Sequence, residues 1–377
     1  MCGADCPPAS INLSPTEDIM HKKLFIPGPT EVAPDVLQKM ATPMIGHRSK
    51  DASNLQREIT EKLRKIMYTD NPILLSTSSG SGLMEGSMRS LTAKRAIVFS
   101  VGAFGNRWFK MAEANNVPVD KCESEWGQPT TPEMVEKYLS TGKYDVMAIT
   151  HNETSTGVMN PVEAIAVVRK KYPDVLWLLD TVSSMAGVKI EVDKLGVDVC
   201  ITSTQKALAL PPGMAICSVT PRALEHGKQV KHRGWYLDLL ELYKYVETKD
   251  HQYSATPSLS HMFAMNYQLE RILNEGLETR YARHKEMAEY TRAWARKNFS
   301  VYPNPLYASQ TLTTINNTRN ISVKGLNEAL GKLGMQISNG YGDLKEKTFR
   351  IAHMGELTLG DIKEVTAAIE HIAPALK

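Results

Sequence analysis

Short apolar runs alternate with helix-length segments from Leu24 to about Met265, and this alternation restricts the chain to few folds. Residues 51–67 place their apolar side chains on one helical face. Candidate strands occupy residues 73–76, 96–100, 146–150, 175–179, 197–201 and 214–219. Because strand and helix repeat in turn, helices cover both faces of the sheet. The pattern predicts an α/β fold whose large domain is built on a mostly parallel sheet.

The chain divides into three predicted parts. Residues 1–20 precede the patterned sequence and form an N-terminal arm, which is either flexible or a product of start-codon choice. Residues 21–265 form the large domain, in which Asn160 is expected to cap a helix that begins at Pro161 and ends at Lys170. Residues 266–377 form a smaller C-terminal α+β domain, which closes with a helix capped by Thr358.

Composition excludes several classes of function. A net charge of +3 over 377 residues is too small to indicate a nucleic-acid or membrane partner, and no stretch approaches the roughly 18 apolar residues of a membrane span. The five cysteines are irregularly spaced, and Cys200 and Cys217 lie in apolar runs as expected of buried free thiols. No H-E-x-x-H or Walker motif occurs, so neither a metal site nor an NTPase is predicted. We expect a cytoplasmic protein.

A lysine and an acid lie at the ends of neighbouring predicted strands. Lys206 follows the run 197–201, and Asp180, which is 206 − 180 = 26 positions upstream, follows the run 175–179. This arrangement predicts a pyridoxal phosphate (PLP) site, in which the lysine holds the cofactor aldehyde as a Schiff base and the acid faces the pyridine nitrogen. Taken alone, Asp180 also fits a helix N-cap, and Lys206 also fits a solvated surface residue.

A segment rich in serine and glycine, residues 76–83, follows one strand and opens a helix. Its glycines permit close approach of an anion, and its hydroxyls and helix N–H groups supply donors, which predicts a phosphate loop in this segment. A dinucleotide site fits less well, because the glycine spacing is one residue too long and the next strand, 96–100, ends without an acid. A tight turn without a ligand remains an alternative.

Three further positions carry side chains suited to a ligand. Phe104 lies just past a strand end and is placed either to stack on a flat heterocycle or to fill the core. Arg350 is a charge inside an apolar run, so its guanidinium needs either a substrate carboxylate or a structural ion pair. His47 and Arg48 form a cationic pair that either meets a substrate anion or holds a domain contact.

Six motifs in this order resemble the class V, fold-type I PLP-dependent aminotransferases, and most closely the alanine–glyoxylate / serine–pyruvate aminotransferase family. The likeness extends from Pro27 to the C-terminal helix. Its motifs are Pro27-Gly28-Pro29-Thr30, Ser79-Gly80-Ser81-Gly82, Thr154-Ser155-Thr156-Gly157, Asp180-Thr181-Val182, Gln205-Lys206 with Pro211-Pro212-Gly213, and Arg350.

The resemblance implies a role for each matched residue. Lys206 forms the internal aldimine and transfers the proton, and Asp180 pairs with the pyridine nitrogen. The remaining cofactor contacts that it implies are Val182 beneath the ring, Phe104 stacked on the ring, Thr154 at the 3-oxygen, and Ser81, Gly82, Leu83 and Gln205 around the phosphate. Tyr253 and Thr256 reach the phosphate of the neighbouring subunit, which implies an obligate homodimer. Two positions depart from the family: Phe104 is often tryptophan there, and Leu83 is histidine in some relatives.

The resemblance also implies the reaction. An amino group moves from alanine or serine to glyoxylate or pyruvate, with Arg350 on the substrate carboxylate. The alternative is a phosphoserine aminotransferase that uses 2-oxoglutarate and glutamate, since His47-Arg48 resembles a phosphate-binding pair there, although the second such pair is Leu344-Lys345 here. A cysteine desulfurase is disfavoured because no cysteine follows Cys217, and a scaffold is disfavoured because the residues for turnover are present.

Overall fold

The computed structural model describes residues 21–376, so the predicted N-terminal arm lies outside the described residues. In chain order the strands are β1 (Lys23–Phe25), β2 (Ile73–Ser76), β3 (Ala96–Ser100), β4 (Val119–Glu123), β5 (Val146–Thr150), β6 (Asn152–Glu153), β7 (Val158–Met159), β8 (Leu176–Asp180), β9 (Val199–Ser203), β10 (Ala215–Val219), β11 (Ser300–Val301), β12 (Leu312–Asn316), β13 (Met335–Asn339) and β14 (Thr348–Ala352).

The α-helices follow the same order. They are α1 (Pro34–Lys39), α2 (Lys50–Met67), α3 (Gly80–Leu91), α4 (Ala103–Ala114), α5 (Pro132–Leu139), α6 (Val162–Arg169), α7 (Val192–Leu195), α8 (Pro221–Gly227), α9 (Leu239–Thr248), α10 (Leu259–Glu275), α11 (Leu277–Asn298), α12 (Val323–Lys332) and α13 (Leu359–Ile372). None of the helices within residues 21–376 is both long enough and apolar enough to cross a membrane.

The large sheet contains seven strands in the order β2, β10, β9, β8, β5, β3 and β4. Strand β10 runs antiparallel to β2 and β9, and the other neighbours are parallel, which confirms the predicted mostly parallel sheet. The edge strand β4 was not predicted, because only two of its five residues, Val119 and Cys122, are apolar and they are not adjacent. Its outer edge faces no other strand of this sheet.

Alternating side chains of β8 show that both faces of the large sheet are buried. Trp177 and Leu179 pack in one apolar cluster with Leu63 of α2. Leu178 points to the opposite face and packs with Met88 of α3. Because successive residues of a strand point to opposite faces, a run that is apolar at every position requires helices on both sides.

A second, five-stranded sheet has the order β1, β13, β14, β12 and β11, and its core includes residues of α11, α12 and α13. Strand β1 pairs in parallel with β13, so the predicted assignment of this segment to the large domain was wrong. The predicted boundary at residue 265 also falls inside α10, whose Leu269 and Ile272 pack in the core of the large sheet. The rise in charge after this position marks the exposed face of a helix.

The two predicted helix caps had different outcomes. Thr358 caps α13 as predicted and forms a reciprocal capping box with Asp361. Asn160 does not cap α6, which begins at Val162. Its side chain instead accepts a hydrogen bond from Thr130 N at 2.7 Å and donates one to Thr150 O at 2.8 Å, so tertiary partners replace the local cap.

Three cysteines among the described residues, Cys122, Cys200 and Cys217, are buried free thiols. Two of them, Cys200 and Cys217, are the ones that the sequence predicted to be buried. Within residues 21–376 no cluster of three or more His, Cys, Asp or Glu side chains is arranged to hold a metal ion.

Candidate active site

A cavity of about 240 Å³ opens at the carboxyl ends of β8 and β9. Asp180 is the last residue of β8, and Lys206 lies three residues after the end of β9. The cavity is lined by Ser79, Gly80, Ser81, Met84, Phe104, Arg107, Asn152, Asp180, Val182, Ser183, Ser203, Gln205 and Lys206. A larger cavity of about 520 Å³ around His151 and Tyr281 contains neither Asp180 nor Lys206 in its wall. The smaller cavity is therefore the candidate site.

The amine of Lys206 is held inside the protein. Its Nζ donates a hydrogen bond to Pro27 O, and Thr30 Oγ1 donates one to Lys206 O at 2.9 Å. Burial lowers the pKa of Lys206 to about 8; Asp180 opposes this effect, and the charges of Arg350 and Arg107 add to it. A lysine whose pKa lies near the working pH serves as a nucleophile and as a proton-transferring base.

Gly28 is required where the first motif passes Lys206. Its φ of +106° lies in the region that favours glycine, and a Cβ atom there would come within 2.6 Å of Lys206 Cδ and 2.7 Å of Nζ. The motif therefore packs its backbone against the lysine side chain, and any side chain at this position would displace the amine.

Asp180 is a buried carboxylate with two hydrogen-bond donors. Its Oδ1 accepts a hydrogen bond from Val182 N at 2.8 Å, and its Oδ2 accepts one from Thr150 Oγ1 at 3.3 Å. Burial raises the pKa of Asp180 to about 6. None of the salt bridges formed by residues 21–376 includes this carboxylate. It therefore supports the turn after β8, where residues 181–184 form no helix, and it faces the cavity, where a cationic partner can bind it.

Several buried polar atoms of the cavity wall lack a protein partner. Asn152 Oδ1, Ser203 Oγ and Gln205 Oε1 form no hydrogen bond with any described residue. Buried polar groups are almost always satisfied, so an unpaired group in a cavity wall indicates a polar ligand. These three atoms, together with the start of α3 at Gly80, fit a flat heterocycle that carries oxygen substituents and a phosphate.

The phosphate loop has one residue that was assigned wrongly. Ser81 lines the cavity. Leu83 is fully buried in the apolar cluster between α3 and the large sheet, and it does not line the cavity. Its place in the first turn of α3 points its side chain toward the sheet. Leucine in place of histidine at position 83 therefore reflects packing of the apolar core.

Phe104 stands at the start of α4 and forms part of the cavity wall. Glu153 Oε2 accepts hydrogen bonds from Phe104 N at 2.9 Å and from Gly105 N at 3.1 Å, which fixes the helix start. Arg107 Cζ lies 4.6 Å from the Phe104 ring centroid, and the ring of Tyr341 lies 5.9 Å away, centroid to centroid. This position favours the stacking interpretation over the core interpretation.

Arg350 is buried beside Thr154 without an acidic partner. Its Nη1 donates to Thr154 O at 3.0 Å, and its Nε and Nη2 donate to Asn339 O at 3.1 and 3.0 Å. Burial lowers the pKa of Arg350 to about 10. None of the carboxylates in the described part of the chain forms a salt bridge with it, so the structural ion pair that the sequence allowed does not form. Thr154 is also buried, and its role at the ring oxygen stays a prediction.

The remaining predicted residues, like Gly82, Thr154 and Arg350, are not part of the cavity wall. Tyr253 Oη accepts a hydrogen bond from Thr77 N of the same chain at 3.0 Å, and Thr256 is exposed. Arg48 donates to the carbonyl oxygens of Tyr253 at 2.5 Å and of Ser254 at 3.4 Å. Arg48 therefore has backbone partners, and its contact with a substrate anion stays a prediction. The neighbouring His47 does not line the cavity either.

The sequence reasoning missed several residues of the site, among them one arginine, one asparagine and one glutamate. Arg107 and Asn152 line the cavity, and Glu153 organises its wall. Arg107 occurs in the same Gly102–Arg107 segment as Phe104, and Glu153 precedes the Thr154 motif, so proximity to recognised positions was the available signal.

A doubly covered parallel sheet with a lysine and a carboxylate at adjacent strand ends defines a fold-type I PLP enzyme. Comparison with known proteins agrees: the sequence model of the family described as Aminotransferase class-V matches residues 24–342. The chain belongs to this family. It is a PLP-dependent aminotransferase, as predicted.

Individual relatives extend over almost the whole chain. An uncharacterized aminotransferase of Methanocaldococcus jannaschii is 38% identical over 368 residues, which cover 96% of this chain and 94% of the relative. Serine–glyoxylate aminotransferase of Arabidopsis thaliana is 30% identical over 362 residues, which cover 93% of this chain and 89% of the relative. The crystal structure of an alanine–glyoxylate aminotransferase from a Nostoc species superposes with a TM-score of 0.89 at 28% identity and covers 96% of this chain and 97% of that one.

Proposed function

We propose that the enzyme moves an amino group from L-alanine or L-serine to glyoxylate or pyruvate. The observation that carries this proposal is Arg350, a buried guanidinium that no described carboxylate pairs with and that lies close enough to lower the pKa of Lys206. A guanidinium binds a carboxylate through two parallel hydrogen bonds, and every amino acid and 2-oxo acid substrate carries one. The named activities of the Arabidopsis and Nostoc relatives support glyoxylate as acceptor.

The predicted site residues would have different roles in binding the cofactor and the substrate. Ser81, Gly82 and Gln205 would hold the phosphate, Val182 and Phe104 the ring, and Asp180 the proton on the ring nitrogen. Bound PLP supplies an electron-accepting ring that makes the Cα–H bond of an amino acid acidic. Lys206 Nζ takes the α-proton, and its lowered pKa leaves a substantial fraction unprotonated near neutral pH.

We also propose that two copies of the chain form a homodimer. Trp235 and Tyr236 are exposed to 55% and 42%, which is high for aromatic side chains, and they adjoin Leu237, which lies against Gly82 and Gly86 of α3. Such exposed aromatic residues are enriched at protein interfaces. Tyr253 and Thr256 would then serve the partner's phosphate. A cytoplasmic location is supported by the three buried free thiols.

The phosphoserine alternative has less support from the structure. It requires Arg48 to bind a substrate phosphate, but Arg48, unlike Arg350, is not among the charges that shift the pKa of Lys206. Leu344, at the position of the second phosphate-binding pair, is buried. We therefore expect alanine and serine to be better amino donors than O-phosphoserine.

The test is a donor and acceptor panel with the PLP-loaded enzyme. L-Alanine, L-serine and O-phosphoserine are each paired with glyoxylate, pyruvate and 2-oxoglutarate, and the amino acid product is quantified. We expect the highest kcat/KM with alanine or serine and glyoxylate. A clear preference for O-phosphoserine with 2-oxoglutarate would overturn the substrate assignment.

The role of Arg350 is tested separately by Arg350→Leu, with Arg296→Leu as a control because Arg296 is an exposed arginine on α11. Losing the partner of a buried carboxylate costs about 2–5 kcal/mol, and this loss is expected in kcat/KM for every donor. The control is expected to retain wild-type kinetics. Equal kinetics for both variants would remove Arg350 from the substrate site.

A further inference from the structure

Arg107 is a second cation in the wall of the active-site cavity, and its partners among the described residues are neutral. Its Nη1 donates to Ser81 Oγ at 3.0 Å, its Nη2 lies 3.5 Å from Tyr341 Oη, and its Cζ lies over the ring of Phe104. None of the salt bridges within residues 21–376 includes Arg107. Two hydroxyls and an aromatic face leave most of the five N–H donors of a guanidinium available to a ligand.

Tyr341 connects this cation to the other arginine of the site. Its hydroxyl is the partner of Arg107, and its ring centroid lies 5.6 Å from Arg350 Cζ. One guanidinium therefore lies near the hydroxyl of Tyr341 and the other near its ring. Both charges also act on the amine of Lys206, which places both within electrostatic range of the reacting centre.

We propose that Arg107 is a specificity-determining residue that binds the side-chain carboxylate of a four-carbon dicarboxylic amino acid such as L-aspartate. Arg350 binds the α-carboxylate of the same molecule, so this inference rests on the aminotransferase function proposed above. It adds a dicarboxylic donor to alanine and serine.

The chemistry of the pair supports a ligand with two carboxylates. A monocarboxylic substrate satisfies Arg350 and leaves Arg107 beside an apolar methyl or a hydroxyl. A second carboxylate gives Arg107 a bidentate acceptor, and stacking on Phe104 fixes the plane in which its donors lie. The contact with Ser81 also allows an alternative role, in which Arg107 binds the phosphate of the cofactor. The experiments below distinguish phosphate binding from carboxylate binding.

The first experiment measures donor selectivity in Arg107→Met. The wild-type enzyme and the variant are assayed with L-aspartate and L-alanine as donors and glyoxylate as acceptor. Because the charge of Arg107 also acts on Lys206, both donors are expected to be affected, and we expect kcat/KM for L-aspartate to fall roughly 10- to 100-fold more than kcat/KM for L-alanine, the scale of a hydrogen-bonded charge. The matched control is Lys110→Met, which removes an exposed positive charge from the same helix and is expected to change neither donor.

The second experiment measures binding without turnover. Isothermal titration calorimetry of the PLP-loaded protein compares succinate, an unreactive dicarboxylate, with propionate. The wild type is expected to bind succinate more tightly, and Arg107→Met is expected to lose this preference. Equal loss for aspartate and alanine, or no succinate preference in the wild type, would overturn the proposal.

Titration of the PLP-free proteins with PLP completes the test. Because Arg107 contacts Ser81 and Phe104, the proposal allows a small loss of PLP affinity in Arg107→Met, whereas a large loss would assign Arg107 to the cofactor phosphate instead. If the wild type transfers no amino group from any donor, the proposed function fails, while the succinate titration still decides the role of Arg107. If alanine reacts and aspartate does not, only this inference fails.

Discussion

Glu153 is a fully buried carboxylate whose two oxygens accept four hydrogen bonds. Oε2 accepts from Phe104 N at 2.9 Å and Gly105 N at 3.1 Å, and Oε1 accepts from Ser155 N at 3.0 Å and Ser155 Oγ at 2.6 Å. The substitution Glu153→Gln keeps the shape of the side chain and replaces one acceptor oxygen with an NH₂ group. Turned toward Phe104 and Gly105, the NH₂ group faces two N–H donors, and turned toward Ser155, it faces one N–H donor and a hydroxyl that can rotate to accept.

The expected cost follows from these contacts. In the better orientation one hydrogen bond to a charged acceptor is lost, the one from Ser155 N, so the free energy of unfolding should fall by about 1.5–3 kcal/mol. This loss is an appreciable part of the roughly 5–15 kcal/mol that stabilises a typical protein. A second effect is expected at the active site, because the backbone N–H groups that place Phe104 lose their anchor.

The assay is urea unfolding of the PLP-free protein followed by far-ultraviolet circular dichroism, with PLP affinity measured on the same preparations. The control is Glu123→Gln, which removes a charge from an exposed side chain paired with Lys121 at 2.9 Å and is expected to cost about 0–1 kcal/mol. A Glu153→Gln protein as stable as the control would refute the reasoning.

Three further substitutions test individual parts of the account. Burial raises the pKa of Asp180 from its ordinary value of 3.8 to about 6 in the folded protein. Between pH 3.8 and about pH 6 the folded protein holds a proton on Asp180 that the unfolded chain has released, so the free energy of unfolding falls as pH rises through this window. Asp180→Asn should therefore stabilise the PLP-free protein at pH 7, with no gain below pH 3.8, and weaken PLP binding; a destabilised variant would contradict this. Gly28→Ala places a methyl group against Lys206 and should reduce PLP incorporation, whereas Gly142→Ala, which has a positive φ of +68° but open space, should not. Thr358→Ala removes the cap of α13 and should lower the free energy of unfolding by about 1 kcal/mol, measured by urea unfolding, and an unchanged midpoint would count against the capping box.

The sequence predicted the central part of the site because its geometry follows from the fold class. Asp180 and Lys206 come after neighbouring strands, and the carboxyl ends of parallel strands open on the same edge of a sheet. The same argument brings Ser81 and Phe104, which also follow strands, to this edge. The cavity contains all four.

The residues that were missed or misassigned depend on partners distant in the sequence. The role of Glu153 is visible only when α4 starts beside it, since its acceptors serve Phe104 and Gly105, almost 50 positions earlier. Arg48 has backbone partners more than 200 positions away. Such contacts leave no local periodicity, whereas the cap of Thr358 is encoded within one helical turn.

The domain boundary also depends on contacts between segments that are distant in the sequence. Strand β1 joins the C-terminal sheet through β13, which lies more than 300 residues further along the chain. A pattern of apolar residues shows that a segment is a strand, but it does not show which sheet the strand completes.

The most direct test of the account is the identity of the lysine that carries the cofactor. The PLP-loaded enzyme is treated with borohydride to make the lysine–cofactor bond permanent, digested and analysed by mass spectrometry, with Lys206→Ala as the comparison. We predict that the added mass lies on the peptide containing Lys206 and that the variant retains none at any lysine. Labelling of a different lysine, or equal labelling of the variant, would contradict the assignment of this cavity as the active site.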